Sequence, residues 1–206
     1  MELTLPYKDI EQYTRIKILP YQLNSDIRNN MFLNLKKKVE KKCNKNGFID
    51  EVYEITQNNE GRMYTENLSG NVIYDVSYHC RMCIPIENTI IIVQIRLISQ
   101  DLIMAVNGPI VMFISRDNVD SSIWCIEEDF THNKNKTKLK SNDYVKVRII
   151  AKRINNGDSQ IKTIGKLLDY ANEKEIEKYY GSIISKENNK EVENNKSKNK
   201  ESNFII

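Results

Sequence analysis

A chain of 206 residues has room for one large domain or two small ones, and a hydrophobic content of 40% is a little low for a fully packed globule. No apolar run reaches the roughly eighteen residues that a bilayer-spanning helix needs, and no N-terminal signal pattern is visible, so a soluble, intracellular protein is expected. Four cysteines without a regular framework suit a reducing compartment.

The formal net charge of +3 is unevenly laid out. Residues 1–133 hold fourteen basic against eighteen acidic side chains, whereas nine Lys or Arg face two Asp between Lys134 and Lys162. That basic stretch is a candidate for phosphate contact and reads equally as a solvated strand face. Heavy use of Asn, Lys and Ile fits an A/T-rich genome such as that of a giant virus or a protist.

In chain order, Thr14–Leu19 alternates as a short strand that Pro20 stops. A helix follows, with Ser25 or Asp26 as N-cap and Ile27, Met31, Leu35 and Val39 recurring every four residues, widened by Phe32. Its opposite face carries Lys36, Lys37, Lys41 and Lys42, read as solvated before nucleic-acid or membrane contact. Gly47 ends the next turn, Phe48–Ile55 reads as a strand, and Thr56–Ser69 is a polar loop.

From Gly70 to Val119 β-branched and aromatic residues are densest, broken by turn signals at Pro85–Asn88, Ser99–Asp101 and Asn107–Pro109. The first run is too long for one ordinary strand and is expected to pass from one sheet into another. Further strands are expected at Arg81–Ile84, Ile90–Ile98, Leu102–Val106, Ile110–Ile114, Tyr144–Ile154 and Ile161–Leu168. The fold class is therefore α+β: a small N-terminal α+β domain (1–79), an OB-fold antiparallel barrel (80–170), and a C-terminal helix with a disordered polar tail (171–206). Asp117–Asn142 is a long link holding Trp124 and the acidic triplet Glu127-Glu128-Asp129. Trp124 reads as a core or partner-interface anchor ahead of a base-stacking platform. A helical pattern runs from Gly165 to Ile184, and Phe204-Ile205-Ile206 ends the tail.

Asn46-Gly47-Phe48-Ile49, Gly70, Val72-Ile73-Tyr74, Tyr78, Gly108-Pro109 and Phe113-Ile114-Ser115-Arg116, taken together at their spacing, resemble the stalk subunit of multisubunit DNA-dependent RNA polymerases. This family comprises the seventh-largest subunit of RNA polymerase II and its archaeal counterpart; the resemblance covers roughly residues 13–170 and suggests a viral homologue. It implies a noncatalytic subunit without cofactor, located in the virion and host cytoplasm if viral and in the nucleus if cellular. The partners implied are the core polymerase subunits, a second stalk subunit and weakly held nascent RNA, with no membrane. Docking on the core falls to the tip segment Asn58, Asn59, Glu60, Gly61, Arg62 and Met63, where Gly61 matches the family's glycine and its neighbours depart from the family's apolar tip. The stacking aromatic that such barrels hold is missing from Ser99–Ile103, and Phe113 is expected on the core face with Val111. Phosphate contact then falls to Arg116, Lys146, Arg148, Lys152, Arg153 and Lys162, which predicts weak, sequence-tolerant, salt-dependent RNA binding. The other reading is a free-standing OB-fold RNA-binding protein such as a translation factor.

Cys80 and Cys83 have the spacing of half a zinc site, but positions three apart on a strand point to opposite faces, so no metal site is expected. With two histidines and no nucleophile-elbow, phosphate-loop or zinc-protease motif, nothing pairs a nucleophile with a base.

Overall fold

The computed structural model describes residues 2–64, 69–126 and 130–181. The first strand, β1 (Tyr7–Ile18), begins well ahead of the Thr14–Leu19 run that marks it in the sequence. Its early half holds Lys8, Asp9, Glu11 and Gln12, so side-chain alternation is visible only toward the buried Ile16 and Ile18. Backbone pairing sets its length, since every residue from Tyr7 to Ile18 faces a partner on a later strand.

Helix α1 (Ile27–Val39) covers the same residues as the four-residue stripe, with Met31 and Leu35 buried and Ile27, Phe32 and Val39 packed beside them. Asp26 is the N-cap but its carboxylate makes no cap bond. Asn24 Oδ1 instead accepts from the Asp26 N–H at 3.0 Å, and Asn30 Nδ2 donates to Asn24 and to the Gln22 carbonyl. At the other end Lys42 Nζ donates to the carbonyls of Lys37 and Lys38, while Lys36 pairs with Glu40 and Lys41 with Asp50. Three of the four lysines are thus engaged locally, as cations near a helix C-terminus often are.

Strands β2 (Lys42–Cys43), β3 (Phe48–Asn58) and β4 (Val72–Cys83) complete an antiparallel sheet ordered β1-β4-β3-β2. α1 lies on one face, over Ile16, Ile49, Val76, Tyr78, Cys80 and Met82. The long run from Gly70 does not cross into a second sheet, and Arg81–Ile84 is not a barrel strand. β4 is flanked on both sides to its end, with Cys83 facing Tyr7 on β1 and Phe48 on β3, and this double pairing keeps its backbone in the first sheet. What crosses is side chains: Cys43, Phe48 and Cys83 join the second core, whereas Cys80 and Met82 stay in the first.

The second core fills a five-stranded closed barrel made of β5 (Ile90–Ile98), β6 (Leu102–Asn107), β7 (Ile110–Ser115), β10 (Tyr144–Arg153) and β11 (Ile161–Tyr170). These bounds fall within two residues of the runs read from the sequence. Each barrel strand pairs antiparallel with its neighbours except β7 and β11, which run parallel, an order consistent with an OB-like barrel. Between β7 and β10 the link forms a hairpin, β8 (Trp124–Ile126) with β9 (Phe130–His132). Trp124 is 1% exposed, its Nε1–H donates to the Leu168 carbonyl at 2.9 Å, and its ring packs on His132 and Tyr170. It is a core residue, not a stacking platform. His132 Nδ1 accepts from the Asn135 N–H, which leaves Nε2 to donate to Asp169 at 3.2 Å and pins the hairpin to β11.

The C-terminal helix α2 spans residues 173–181 and does not begin at Gly165. Gly165–Tyr170 belongs to β11, where Ile161, Thr163, Gly165 and Leu167 alternate inward and the strand period prevails over the helical one. The Asn172 N–H donates to Glu175, whose carboxyl this bond and Lys146 hold below the usual carboxylate range. Tyr179 is 4% exposed; its hydroxyl accepts from Asn107 Nδ2 at 3.1 Å and donates to the Thr4 carbonyl, while Tyr180 donates to Ile92 and packs on Tyr144. α2 is therefore a fixed cover on the β5 and β10 side of the barrel. The acidic triplet at 127–129 and the tail with Phe204-Ile205-Ile206 lie outside the described residues, and none of the described helices is long and apolar enough to cross a membrane.

Gly108 adopts φ +55°, and a Cβ there would collide with the Tyr7 hydroxyl. Gly108→Ala is therefore predicted to destabilise by about 2 kcal/mol, shrinking toward about 1 kcal/mol in a Tyr7→Phe background where only the left-handed strain persists. Denaturant titration of the three variants checks it. Burial pushes the Cys80 thiol up to about 11 and raises Cys43 and Cys83 as well, while Cys125 is half-buried. A chromogenic disulfide reagent should titrate Cys125 alone in the native protein and all four thiols after denaturation.

Candidate nucleic-acid interface

Opposite α2 the outer wall of the barrel is open. The strand registers place Leu97, Met104, Phe113 and Ile164 side by side on β5, β6, β7 and β11. Leu97 is 57% and Ile164 48% exposed, with Met104 and Phe113 half-buried between them. The row crosses four strands, about 14 Å at the usual spacing, long enough for two or three stacked bases.

Phe113 does share a face with Val111, but the face is the outer one. Ile110, Met112 and Ile114 turn inward and are fully buried. Every position of this strand is apolar up to Ser115, so alternation alone cannot say which set faces in, and only the register decides it. Leu97, Met104, Ile164 and Lys166 were missed for the same reason.

The six expected phosphate contacts do not form one patch. Lys162 pairs with Arg153 across β11 and β10, and with Val111 on β7, one row below Phe113. Arg148 pairs with Lys166, which lies two residues along β11 from Ile164 on the other flank. Arg148, Arg153 and Lys162, joined by Lys166, thus bracket the apolar row, although Lys166 also approaches Asp120 at 3.8 Å. Lys146 is turned to Glu175 of α2 at 3.2 Å, and Lys152 Nζ donates to the Pro85 carbonyl at 2.8 Å. Arg116 follows the far end of β7, its N–H on the Asp101 carbonyl, about 15 Å along the strand from Lys162.

The tip segment is exposed throughout and ordered against β4. Asn58 ends β3, the Asn59 N–H donates to the Asp75 carbonyl, and Arg62 exchanges two backbone bonds of 2.9 Å with Ile73. A Cβ at Gly61 meets Val72 at 2.5 Å and Tyr74 at 2.6 Å, so the close approach of this segment to β4 needs glycine. Met63 is 63% and Tyr64 51% exposed beside it.

Cys80 and Cys83 face different cores and do not converge, and His79 faces Glu54 at 3.4 Å on the open side of the sheet. Among the described residues no three His, Cys, Asp or Glu side chains gather as metal ligands.

No protein-family profile matches the chain. Over 166 residues, covering 80% of this chain and 83% of the relative, it is 34% identical to a protein of Acanthamoeba polyphaga mimivirus described as a "putative DNA-directed RNA polymerase subunit". That extent takes in both the first sheet or most of it and the barrel or most of it, because neither unit alone is long enough to supply it. The chain belongs to this family of viral DNA-directed RNA polymerase subunits.

Proposed function

We propose that the chain is a noncatalytic stalk subunit of a viral DNA-dependent RNA polymerase, working in the virion and host cytoplasm. The first domain docks on the core enzyme through Asn58–Met63, and the barrel stands near the RNA exit. A second stalk subunit and the nascent transcript are its other contacts. The observation that carries the reading is the likeness to a viral polymerase subunit over four fifths of the chain. The OB-like strand order and the exposed tip at the far end of the first sheet support the division of labour.

In this reading RNA lies across the apolar row, with bases on Phe113 and phosphates on Arg148, Lys166, Arg153 and Lys162. Such contact is sequence-tolerant, because every base has a face to stack and every phosphate the same charge. A free-standing RNA-binding factor, the other reading, calls for tight RNA binding without any polymerase.

Anisotropy titration with short single-stranded RNA should show weak binding whose log affinity falls with log salt at a slope of about −2 to −3, as three or four neutralised phosphates require. Phe113→Leu should weaken it about tenfold, the scale of one lost stacking contact, while Lys152→Gln, tied to Pro85 and off the row, should leave it unchanged. An unaffected Phe113→Leu variant would remove the row from the path. For docking, Arg62→Glu combined with Met63→Asp should abolish co-purification with the core subunits while leaving the circular dichroism spectrum intact; undiminished recovery would move the docking surface elsewhere.

A further inference from the structure

Residues 182–206 follow α2, and the sequence singles out Phe204-Ile205-Ile206 among them, a triplet outside the described residues. It comes after Lys196, Lys198 and Lys200, which alternate with polar residues, and Glu201 is the one acid between Lys196 and Ile206. An apolar triplet behind a basic run fits a surface that is apolar with acids beside it. The apolar row of the barrel is not that surface, because Arg148, Arg153, Lys162 and Lys166 bracket it and would repel the three lysines.

The first sheet supplies one. β2 pairs only with Phe48 and Ile49, and beyond them no strand covers the outer edge of β3 among the described residues. Glu40 takes the Val52 N–H at 3.1 Å, and past it a groove of about 460 Å³ opens between α1 and β3. Met31, Phe32 and Ile55 give it an apolar lining, with Phe32 and Ile55 half-buried. Glu51 and Glu54 stand exposed on the same strand. Among the described residues Glu51 has no hydrogen bond or ion pair, and Glu54 meets only His79 at 3.4 Å. Arg28 lines the groove from the first turn of α1, about 18 Å along the helix from Glu40 and so away from Glu51.

Spacing and reach agree with this destination. Lys200 to Phe204 and Glu51 to Ile55 are each four residues, about 13 Å of extended chain. A segment running alongside β3 in the same direction therefore brings Lys200 to Glu51 and the Phe204 ring to the groove together. Tyr179, near the end of α2, packs in the barrel core with Phe48 at the start of β3. From Phe48 to the end of β3 is about 33 Å, and the fourteen residues 182–195 span up to about 46 Å.

We propose that Phe204-Ile205-Ile206 folds back into the groove between α1 and β3, with Lys196, Lys198 and Lys200 alongside Glu51 and Glu54, as an internal cover. Asn58 lines the groove and belongs to the proposed docking segment, so the core enzyme displaces the cover on assembly. That consequence rests on the docking reading; the contact itself does not. Methyl NMR of the full chain labelled at methionine tests the contact without polymerase, because Met31 lies in the groove and Met104 on the apolar row. Phe204→Ser, Ile205→Ser and Ile206→Ser combined should move the Met31 signal and leave Met104 in place. With Lys196→Glu, Lys198→Glu and Lys200→Glu in the chain, the serine substitutions should no longer move Met31; with Glu51→Lys and Glu54→Lys added, they should move it again. A Met31 signal indifferent to the serine substitutions, or equally responsive with the lysines reversed, would overturn the proposal. So would a shift at Met104 instead, which places the triplet on the row, or a Met31 response that fades on dilution, which assigns it to a second copy. With Met31 responding as expected, equal recovery of core subunits by the serine variant and the parent chain would count against the docking reading alone.

Discussion

β4 belongs to one sheet by its backbone and to two cores by its side chains. Val76, Tyr78, Cys80 and Met82 pack under α1, while Cys83, on the other face, packs into the barrel with Cys43 and Phe48. At the same end Arg81 is only 5% exposed, its guanidinium 4.5 Å from the centre of the Tyr7 ring and 3.9 Å from Asp50. A buried cation is tolerated only where partners meet it, and here the first sheet itself supplies them, Tyr7 from β1 and Asp50 from β3. Tyr7 in turn lies against Gly108 at the β6–β7 turn. Tyr7, Cys43, Phe48 and Cys83 thus tie the first sheet to the barrel through side-chain packing.

The wall is open for a reason that can be traced. On β5, Ile90 and Ile92 point outward and would be exposed apolar groups, but α2 and the N-terminal strap around Leu3 and Thr4 cover them. The same cover takes Lys146 out of circulation through Glu175. No such element lies over Leu97, Met104, Phe113 and Ile164, among the described residues. The row therefore stays uncovered and bracketed by cations, the arrangement on which the proposed contact with single-stranded nucleic acid rests.

How much of this can be read from the residues depends on which physical signal each element carries. The barrel strands were legible because β-branched runs punctuated by turn residues have few other readings, and α1 because its stripe is unbroken. β1 was only half legible, since the segment Lys8–Gln12 is held by pairing and not by burial. The course of β4 was misread because a two-sided strand is as long as its partners allow, and those partners lie far away in sequence. α2 was placed too early because Leu167, Leu168 and Ala171 fit a helical stripe as well as an alternating strand. Of the candidate site, the cations Arg148, Arg153 and Lys162 stand out by charge alone, but Phe113 does not: in a wholly apolar strand the inward set is decided by register. Lys146 and Lys152 were chosen on charge and are engaged by Glu175 and Pro85, partners that only folding brings near.

The most direct test of the central claim is the stoichiometry of what the native protein carries. The tagged full-length chain would be recovered from its source in high salt and its partners quantified by mass spectrometry. The account predicts the large polymerase subunits at near-equal molar amounts. Recovery of RNA or ribosomal proteins without those subunits would contradict it.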